Sequence, residues 1–420
     1  MRSAAPQADQ SVVPAAIVIL AGVSAALHVA KLFPALPALR ELLQISLLQA
    51  GFLVAVVQLA GMTLGLAVGL LADGIGLKRC MMTGLTLLFS ASAFGGCTDS
   101  AATLLAFRVV EGAGFLLVCT PAPALIRQLV VPRRLGSVLG VWGTYMPLAT
   151  TLALLFGPLV ILLAGWQSLW WGLSVVSFAT ALLLWRMVPA GTSNVGNAMQ
   201  IKWTLRLHQT LTARGPWLIA LSFAMYSGQW IAVVGFLPSI YAQAGFSSTS
   251  TAWLTALAAA VNAIGNVASG RLLSRNLQPQ SLLYVGFCVM GLTAFVAFVP
   301  FSAPLAAQQN FADTFGPIPI VRYVAILLFS LVGGLIPGTL FSLSVALAPG
   351  KDTVSTTVGW MQQWSAFGQF SGPPLVAWVA SRAGGWQWTW LVTSTCAILG
   401  LCLARHIGKQ IQRTKDATAI

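Results

Sequence analysis

Twelve long apolar runs follow one another along this chain, and no other feature restricts its fold so strongly. A helix needs about 20 mostly apolar residues to cross a bilayer, and each run is roughly that long. Only 7% of the residues are charged, whereas soluble domains carry about 25%. The sequence therefore predicts an all-α integral membrane protein. The runs cover residues 14–36, 45–71, 80–97, 101–125, 136–163, 168–187, 216–240, 250–272, 281–300, 320–347, 354–380 and 387–405.

The positive charges are divided unequally between the two ends of these runs. With the N-terminus placed in the cytoplasm, seventeen lysines and arginines lie on the cytoplasmic side and only Arg40, Arg322 and Arg382 lie opposite. Cytoplasmic loops of membrane proteins carry such an excess. We therefore predict that both termini are cytoplasmic and that the protein lies in the bacterial inner (plasma) membrane. The net charge of +14 is spread over loops beside lipid headgroups and predicts no nucleic-acid partner.

The polar residues predict no catalytic or metal centre. The six cysteines lie in or beside apolar runs without the paired spacing of metal ligands or a disulfide framework. No nucleophile, base and orienting group come together in a motif. We therefore expect a protein that is not an enzyme and that needs no cofactor and no metal.

The two halves of the chain resemble each other. Gly157-Pro158 and Gly165-Trp166-Gln167 in the first half return as Gly372-Pro373 and Gly385-Trp386-Gln387 in the second. Internal repeats are typical of transporters. We therefore predict an N-terminal six-helix bundle, a cytoplasmic linker with a short amphipathic stretch, a C-terminal six-helix bundle and a cytoplasmic tail, over residues 1–187, 188–215, 216–406 and 407–420 respectively.

The loop after the second run reads GLLADGIGLKR over residues 69–79. Glycine permits a sharp turn here. Asp73 is expected to accept hydrogen bonds from the amides at a neighbouring helix start, where the helix dipole favours an anion. Lys78 and Arg79 would mark the cytoplasmic face.

This loop resembles the signature of the major facilitator superfamily of secondary transporters, Gly-x-x-x-Asp-Arg/Lys-x-Gly-Arg/Lys-Arg/Lys. The chain departs from it at two positions, Gly74 and Leu77, where cations are usual. The resemblance implies a major facilitator fold of twelve transmembrane helices in two six-helix bundles, and a gating role for the loop. The matching residues are Gly69, Asp73, Gly76, Lys78 and Arg79.

Four ionisable residues lie at membrane depth in the first half. His28 and Lys31 are three residues apart in one run, and Arg108 and Glu111 repeat that spacing in another, so each pair shares a helix face. Such groups must face a partner or an aqueous cavity. We expect all four to converge on one cavity, where His28, Lys31 and Arg108 would bind an anion and His28 or Glu111 would carry a proton. Alternatively, Glu111 only neutralises Arg108.

The second half offers polar and aromatic candidates for the same binding site. The segment Gly359-Trp-Met-Gln-Gln-Trp364 places two consecutive amides and two indoles inside an apolar run. Exposure of all these polar groups to lipid would cost free energy, so at least one amide is expected to line the cavity. Hydrogen bonding between helices is the alternative explanation for Asn262 and Asn266. The predicted substrate-binding residues of this half are Tyr226, Gln229, Trp230, Asn262, Gln362 and Gln363.

Two further resemblances bear on function. Arg108-Val-Val-Glu111-Gly112 resembles the fourth-helix pattern Arg-x-x-Gln-Gly of the superfamily, whose arginine is associated with transport. The segment from His28 to Leu39 is similar to the cyanate-permease-like branch, which is linked to small anions. The fifth run lacks the pattern Gly-x-x-x-Gly-Pro-x-x-Gly-Gly of the drug exporters.

Together these patterns predict a monomeric symporter in contact with membrane lipid. It would move a small organic or inorganic anion inward with protons, by alternating access. Two alternatives stay open: a proton-coupled exporter of drug-like amphiphiles, and a membrane sensor that has the carrier fold but does not transport.

Overall fold

A computed structural model of the chain describes residues 12–42, 47–189, 203–243, 245–299, 319–383 and 385–418, and the regular structure of these ranges is entirely helical. Two short 3-10 turns, Lys351–Thr353 and Trp386–Trp388, precede the last two helices. The helices are α1 (Val13–Ala30), α2 (Leu32–Leu42), α3 (Leu47–Ile75), α4 (Leu77–Gly95), α5 (Ala101–Cys119), α6 (Ala122–Leu129), α7 (Pro132–Trp142), α8 (Tyr145–Met187), α9 (Trp203–Thr212), α10 (Arg214–Gln243), α11 (Ser248–Ser274), α12 (Pro279–Phe298), α13 (Pro319–Gly333), α14 (Leu335–Ala346), α15 (Val354–Ala383) and α16 (Thr389–Thr418).

These helices are consistent with the twelve predicted crossings. Within the described residues, nine stretches are long and apolar enough to cross a membrane by themselves. One of them, Pro132–Met187, contains two crossings, because Gly165 adopts a φ of 79° and breaks α8 into two parts. The two remaining crossings are α4 and α15, where charged or polar side chains lower the hydropathy.

The first six crossings pack as one bundle and the last six as another. In the first bundle α1 packs on α8, and α4 packs on α5 and α8. In the second bundle α10 packs on α15, and α12 packs on α13 and α16. Helices of both bundles contribute to a shared apolar core.

Two seams join the bundles, and both depend on glycine. At the seam of α3 with α15, a methyl group on Gly65 would lie 2.7 Å from the carbonyl oxygen of Gly359. At the seam of α7 and α8 with α11, a methyl group on Gly140 would lie 2.6 Å from the Cα of Gly270. The backbones therefore touch directly, as small residues permit. Helix α9 contacts α3, α10 and α15 at one end of the seams, which we call the linker end.

The internal repeat corresponds to a repeated turn. Gly165 separates the fifth and sixth crossings, and Gly385 precedes the last crossing with a φ of 147°. Both lie in a region of positive φ that favours glycine, and each lies against the side chain of the glutamine two residues later, Gln167 or Gln387.

The predicted linker agrees with the structure better than the predicted tail does. Helix α9 coincides with the amphipathic stretch that the sequence predicts within the linker, while residues 190–202 of the linker lie outside the described ranges. The tail expected from residue 407 is not a separate segment, because α16 continues without a break to Thr418. Its polar end extends the last crossing.

Candidate functional site

The four ionisable residues converge in one buried network inside the first bundle. Lys31 Nζ lies 2.5 Å from Glu111 Oε1, and Arg108 Nη1 lies 2.6 Å from Glu111 Oε2. Each carboxylate oxygen therefore has its own cation. The side chains of His28, Lys31, Arg108 and Glu111 are at most 1% exposed, and removal of Glu111 would leave two buried cations without a counter-charge.

Three partners of this network were not predicted from the sequence. Lys31 Nζ donates to Ser92 Oγ at 2.8 Å and lies 4.2 Å from the ring centroid of Trp170, a cation–π contact. His28 Nε2 lies 2.7 Å from Ser177 Oγ. Trp170, Ser174 and Ser177 recur at helical spacing on one face of α8, all buried. This row of polar side chains in an otherwise apolar run was the sequence pattern that could have revealed these partners.

The contacts of His28 fix where its proton lies. Lys31 Nζ is 3.5 Å from His28 Nδ1 and can only donate, so Nδ1 accepts and Nε2 carries the hydrogen that Ser177 Oγ receives. His28 Nδ1 also lies 3.6 Å from Glu111 Oε1. With a neutral His28, two cations and one carboxylate leave a single positive charge in the network.

A separate cavity lies between the two bundles. It has a volume of about 50 Å³ and no charged lining residue among those the structure describes. Three of the predicted binding residues, Tyr226, Trp230 and Asn262, line it. The full lining is Gly143, Tyr145, Met146, Pro147, Phe223, Tyr226, Ser227, Trp230, Asn262, Pro337, Phe341, Ser365 and Gln369.

The other predicted binding residues lie elsewhere. His28, Lys31 and Arg108 do not reach the cavity, because they satisfy one another and Glu111 within the first bundle. Gln229 Nε2 donates to the carbonyl of Met225 in its own helix.

The two amides of α15 join the bundles instead of lining the cavity. Gln362 Nε2 donates to Tyr145 Oη at 3.1 Å, and Gln363 Oε1 accepts from the backbone N–H of Leu66 at 3.0 Å. Each bond runs from α15 to a helix of the first bundle, and neither glutamine is among the residues that line the cavity. Gln369 of the same helix lines the cavity and accepts from Gln58 Nε2 at 3.0 Å.

An aromatic path leads from the helix that carries Glu111 to the cavity. Phe115 follows Glu111 by one helical turn, and its ring centroid lies 6.3 Å from that of Tyr145 in the cavity wall. From Tyr145 the aromatic contacts continue across the bundle boundary to Phe341 at 6.2 Å and then to Phe223 at 5.6 Å. The helix that carries Arg108 and Glu111 therefore reaches the cavity wall through Phe115.

Asp73 caps a helix of the opposite bundle. Its Oδ2 accepts from the backbone N–H and the hydroxyl of Thr356, each at 2.7 Å, and its Oδ1 accepts from Ser355 N–H at 3.3 Å. Helix α15 begins at Val354. The expected hydrogen bonding of Asp73 to a neighbouring helix start is confirmed.

The rest of the signature loop holds the end of α8. Gly76 turns the chain with a φ of 102°. Lys78 Nζ donates to the carbonyls of Trp185 at 2.9 Å and Val188 at 2.5 Å, while Arg79 is exposed. Gly69 lies against the backbone of Ser355. One loop thus contacts a helix end in each bundle at the linker end.

Comparison with protein families and curated proteins gives two findings. The family model of the Major Facilitator Superfamily matches residues 17–373. The multidrug resistance protein MdtL of Escherichia coli O81 (strain ED1a) is 32% identical over 128 residues, and that of Shigella boydii serotype 18 (strain CDC 3083-94 / BS512) is 31% identical over 128 residues. Each match covers 30% of this chain and 33% of the relative, so the chain spans only a third of the length of these relatives.

Solved structures share the fold over nearly the whole chain. The proton:xylose symporter XylE has a TM-score of 0.74 at 13% identity, covering 93% of this chain and 94% of that one. FucP in its outward conformation has a TM-score of 0.74 at 16% identity, covering 94% and 98%. The human organic anion transporter MFSD10 also has a TM-score of 0.74 at 16% identity, covering 95% and 100%. At these identities the likeness concerns the fold alone.

Proposed function

Because this chain belongs to the Major Facilitator Superfamily of non-enzymatic membrane carriers, we propose that it moves a small organic anion across the membrane by alternating access. The buried network carries this proposal. Lys31 and Arg108 share one carboxylate, so the network keeps one positive charge in the buried interior of the first bundle. An uncompensated charge in such a medium acts over a longer distance than in water. An anion in the neighbouring cavity would supply the missing negative charge.

The size and lining of the cavity favour a small organic solute. A water molecule needs roughly 10–15 Å³ of such volume, so about 50 Å³ accommodates a few waters or a small carboxylate. Tyr145, Phe223 and Phe341 offer ring faces to an apolar part of the solute. Tyr226 and Asn262 offer a hydroxyl and an amide to a polar part. The solute would be an organic anion with a flat or apolar body.

Proton coupling follows from the second arrangement that His28 allows. A proton on His28 Nδ1 would lie between the imidazole and Glu111 Oε1, 3.6 Å away. Lys31 would then have to move from Nδ1 towards Ser92, which it already contacts. A protonated His28 would raise the positive charge next to the cavity and strengthen anion binding. Proton and anion would therefore travel together as in a symporter.

Alternating access would use the two glycine seams as the moving contacts. We place the linker end in the cytoplasm of a bacterium, with both termini on that side of the inner membrane. With Asp73 bound to the start of α15 and both seams in contact, the cytoplasmic end is closed. Asp73 therefore has a gating role. The protein would act as a monomer, and uptake is the proposed direction. We also place it in the cyanate-permease-like branch.

The test is thermal stabilisation of the purified protein by a matched set of solutes. The set contains benzoate, cyclohexanecarboxylate, acetate, cyanate, neutral benzamide and a cationic amphiphile. Stabilisation by carboxylates but not by benzamide supports the anion carrier. Stabilisation by cyanate alone would make the substrate inorganic, and stabilisation by neutral or cationic compounds alone would contradict the proposal.

Two arginine variants test whether the positive charge of the network is responsible for anion binding and uptake. Arg108→Gln removes the excess positive charge and is expected to abolish stabilisation by the anion and its uptake into proteoliposomes. Arg271→Gln removes an exposed cation of α11 and is the control that should keep both. Full uptake by Arg108→Gln would contradict the role proposed for the network.

A second candidate function is proton-coupled export of drug-like amphiphiles. Two observations favour it: the uncharged aromatic lining of the cavity, and the partial similarity to proteins named for multidrug resistance. Accelerated efflux of several unrelated amphiphiles from loaded proteoliposomes would support it over anion uptake. Ligand binding without any flux would support a sensor instead.

A further inference from the structure

An apolar groove on the outer side of the first bundle plays no part in the proposed transport. It lies between α4 and the second part of α8 and has a volume of about 230 Å³. Its α4 wall includes Met82, Thr86 and Phe89, and its α8 wall includes Phe178 and Trp185. Phe178 is 55% exposed and Trp185 is 60% exposed. Both helices cross the membrane, so this groove faces the lipid.

Basic residues gather where the groove approaches the linker end. Arg79 precedes Met82 by one helical turn, about 4.5 Å along the axis, and Arg186 follows Trp185 directly. Both arginines are exposed. Lys78 bridges the two helices through the carbonyls of Trp185 and Val188, and it keeps one N–H of its ammonium for another acceptor.

No acidic residue balances these cations in the two helices that form the groove. Neither α4 nor the stretch 166–187 of α8 contains an aspartate or a glutamate. The nearest acid along the chain, Asp73, is turned towards Thr356 on the opposite bundle. An apolar groove that ends in uncompensated positive charge complements a molecule with an apolar tail and an anionic head.

We propose that this groove binds an anionic phospholipid. One acyl chain would lie between Phe178 and Met82, and the phosphate and headgroup would contact Arg79 and Arg186. Guanidinium groups bind phosphate oxygens through paired N–H donors. The bound lipid would join α4 to α8 at the membrane surface, beside the bridge that Lys78 already makes.

A second copy of the chain fits this surface less well. A two-fold dimer in the membrane presents the same patch from both subunits, so the basic end of one groove would face that of its partner. Like charges at such a contact repel. An anionic phospholipid carries the charge opposite to that of the basic end, and lipid already surrounds this face of the protein.

The experiment is native mass spectrometry of the purified full chain, titrated with dioleoyl phosphatidylglycerol or with dioleoyl phosphatidylcholine. The two lipids share their acyl chains and differ in headgroup charge. We expect phosphatidylglycerol to bind at least ten times more tightly. Because a basic residue near the surface contributes about a factor of five, Arg79→Gln with Arg186→Gln should weaken phosphatidylglycerol roughly 30-fold. Phosphatidylcholine, whose headgroup has no net charge, should be weakened much less.

Matched variants locate the site. Arg133→Gln with Arg134→Gln removes two exposed cations at the start of α7 and should leave lipid binding unchanged. Thr86→Trp fills the groove from its exposed rim and should weaken phosphatidylglycerol at least ten-fold. Thr395→Trp is the control, because Thr395 is also exposed on a crossing and donates to its own helix as Thr86 does.

Three results would overturn the proposal. Equal affinity for both lipids would mean that the basic end does not select the headgroup. Tight binding of phosphatidylglycerol that survives both Thr86→Trp and the loss of Arg79 and Arg186 would place the lipid elsewhere. A dimer that dissociates in Thr86→Trp would identify the groove as an interface between copies. None of these results depends on the transported solute.

Discussion

Glu111 is shared by two cations, and its two oxygens are not interchangeable. Oε1 faces Lys31 and Oε2 faces Arg108. Glu111→Gln would leave both cations buried without a counter-charge. We expect it to lower the free energy of unfolding by about 3–5 kcal/mol, measured as a lower midpoint of thermal unfolding in detergent.

The control for that change restores the charge of the network. Lys31→Met combined with Glu111→Gln leaves Arg108 as the single cation and returns the network to its original net charge. The double variant should therefore regain part of the stability that Glu111→Gln loses. A double variant no more stable than Glu111→Gln would show that the unpaired charge of Lys31 is not what lowers the stability.

At the residue scale, sequence reasoning found the charges but not their surroundings. His28, Lys31, Arg108 and Glu111 stood out because ionisable groups are rare in apolar runs. Their convergence followed from helical spacing. Ser92 and Ser177 were missed because a serine in a membrane helix can satisfy its hydroxyl on its own backbone, so its presence alone indicates no partner. Whether Gln362 and Gln363 line the cavity or join the bundles depends on how closely the two bundles approach each other, and the sequence alone does not give that distance.

At the scale of the element, α3 and α15 can meet only because glycine removes the side chain between them. Gly65→Val would bring a methyl group into contact with the carbonyl of Gly359. Overpacking of this kind costs about 1–3 kcal/mol, and separation of the bundles relieves it. We expect faster hydrogen exchange of the α15 amides near the linker end.

Gly172→Ala is the matched control for the seam variant, because a methyl group there meets nothing within 4 Å. It should leave the exchange of α15 unchanged. Unchanged exchange in Gly65→Val as well would show that the seam tolerates the added volume.

Helix α15 begins at a carboxylate from the other bundle, so its start is stable only while the bundles touch. Asp73→Asn keeps the size of the side chain but removes the charge that the helix dipole favours. We expect a loss of about 1 kcal/mol, seen as faster exchange of residues 354–358. Asp352→Asn, an exposed acid close to the same helix start, should have a smaller effect. An equal effect of both variants would indicate a general loss of negative charge.

The elements themselves were largely predictable. The long apolar runs predicted the crossings, and the repeated Gly-Trp-Gln triplets correspond to equivalent turns at Gly165 and Gly385. The extension of α16 to Thr418 was not predicted. Hydropathy reports the membrane environment, whereas helix ends depend on local hydrogen bonds and on contacts beyond the bilayer.

At the scale of the whole molecule, alternating access requires the seam of α7 with α11 to open. The hydroxyls of Ser137 and Ser274 lie 2.7 Å apart across it. Cysteines at both positions should form a disulfide under oxidation, because the side chains already point at each other. We expect oxidation to stop solute counterflow in proteoliposomes and a reductant to restore it.

Ser137→Cys alone is the control for the effects of the oxidant and of the substitution. It should keep its counterflow under the same conditions. Full transport by a cross-linked double variant would rule out separation of this seam as a step of the cycle.

The low hydropathy of α15 has a consequence for how the chain is made. A crossing with too few apolar residues enters the bilayer poorly by itself, so it must be sheltered by other helices while it is inserted. Two helices that pack on α15, α3 and α10, are synthesised before it. The polar crossing can therefore pack against helices that are already in the membrane as it emerges from the ribosome.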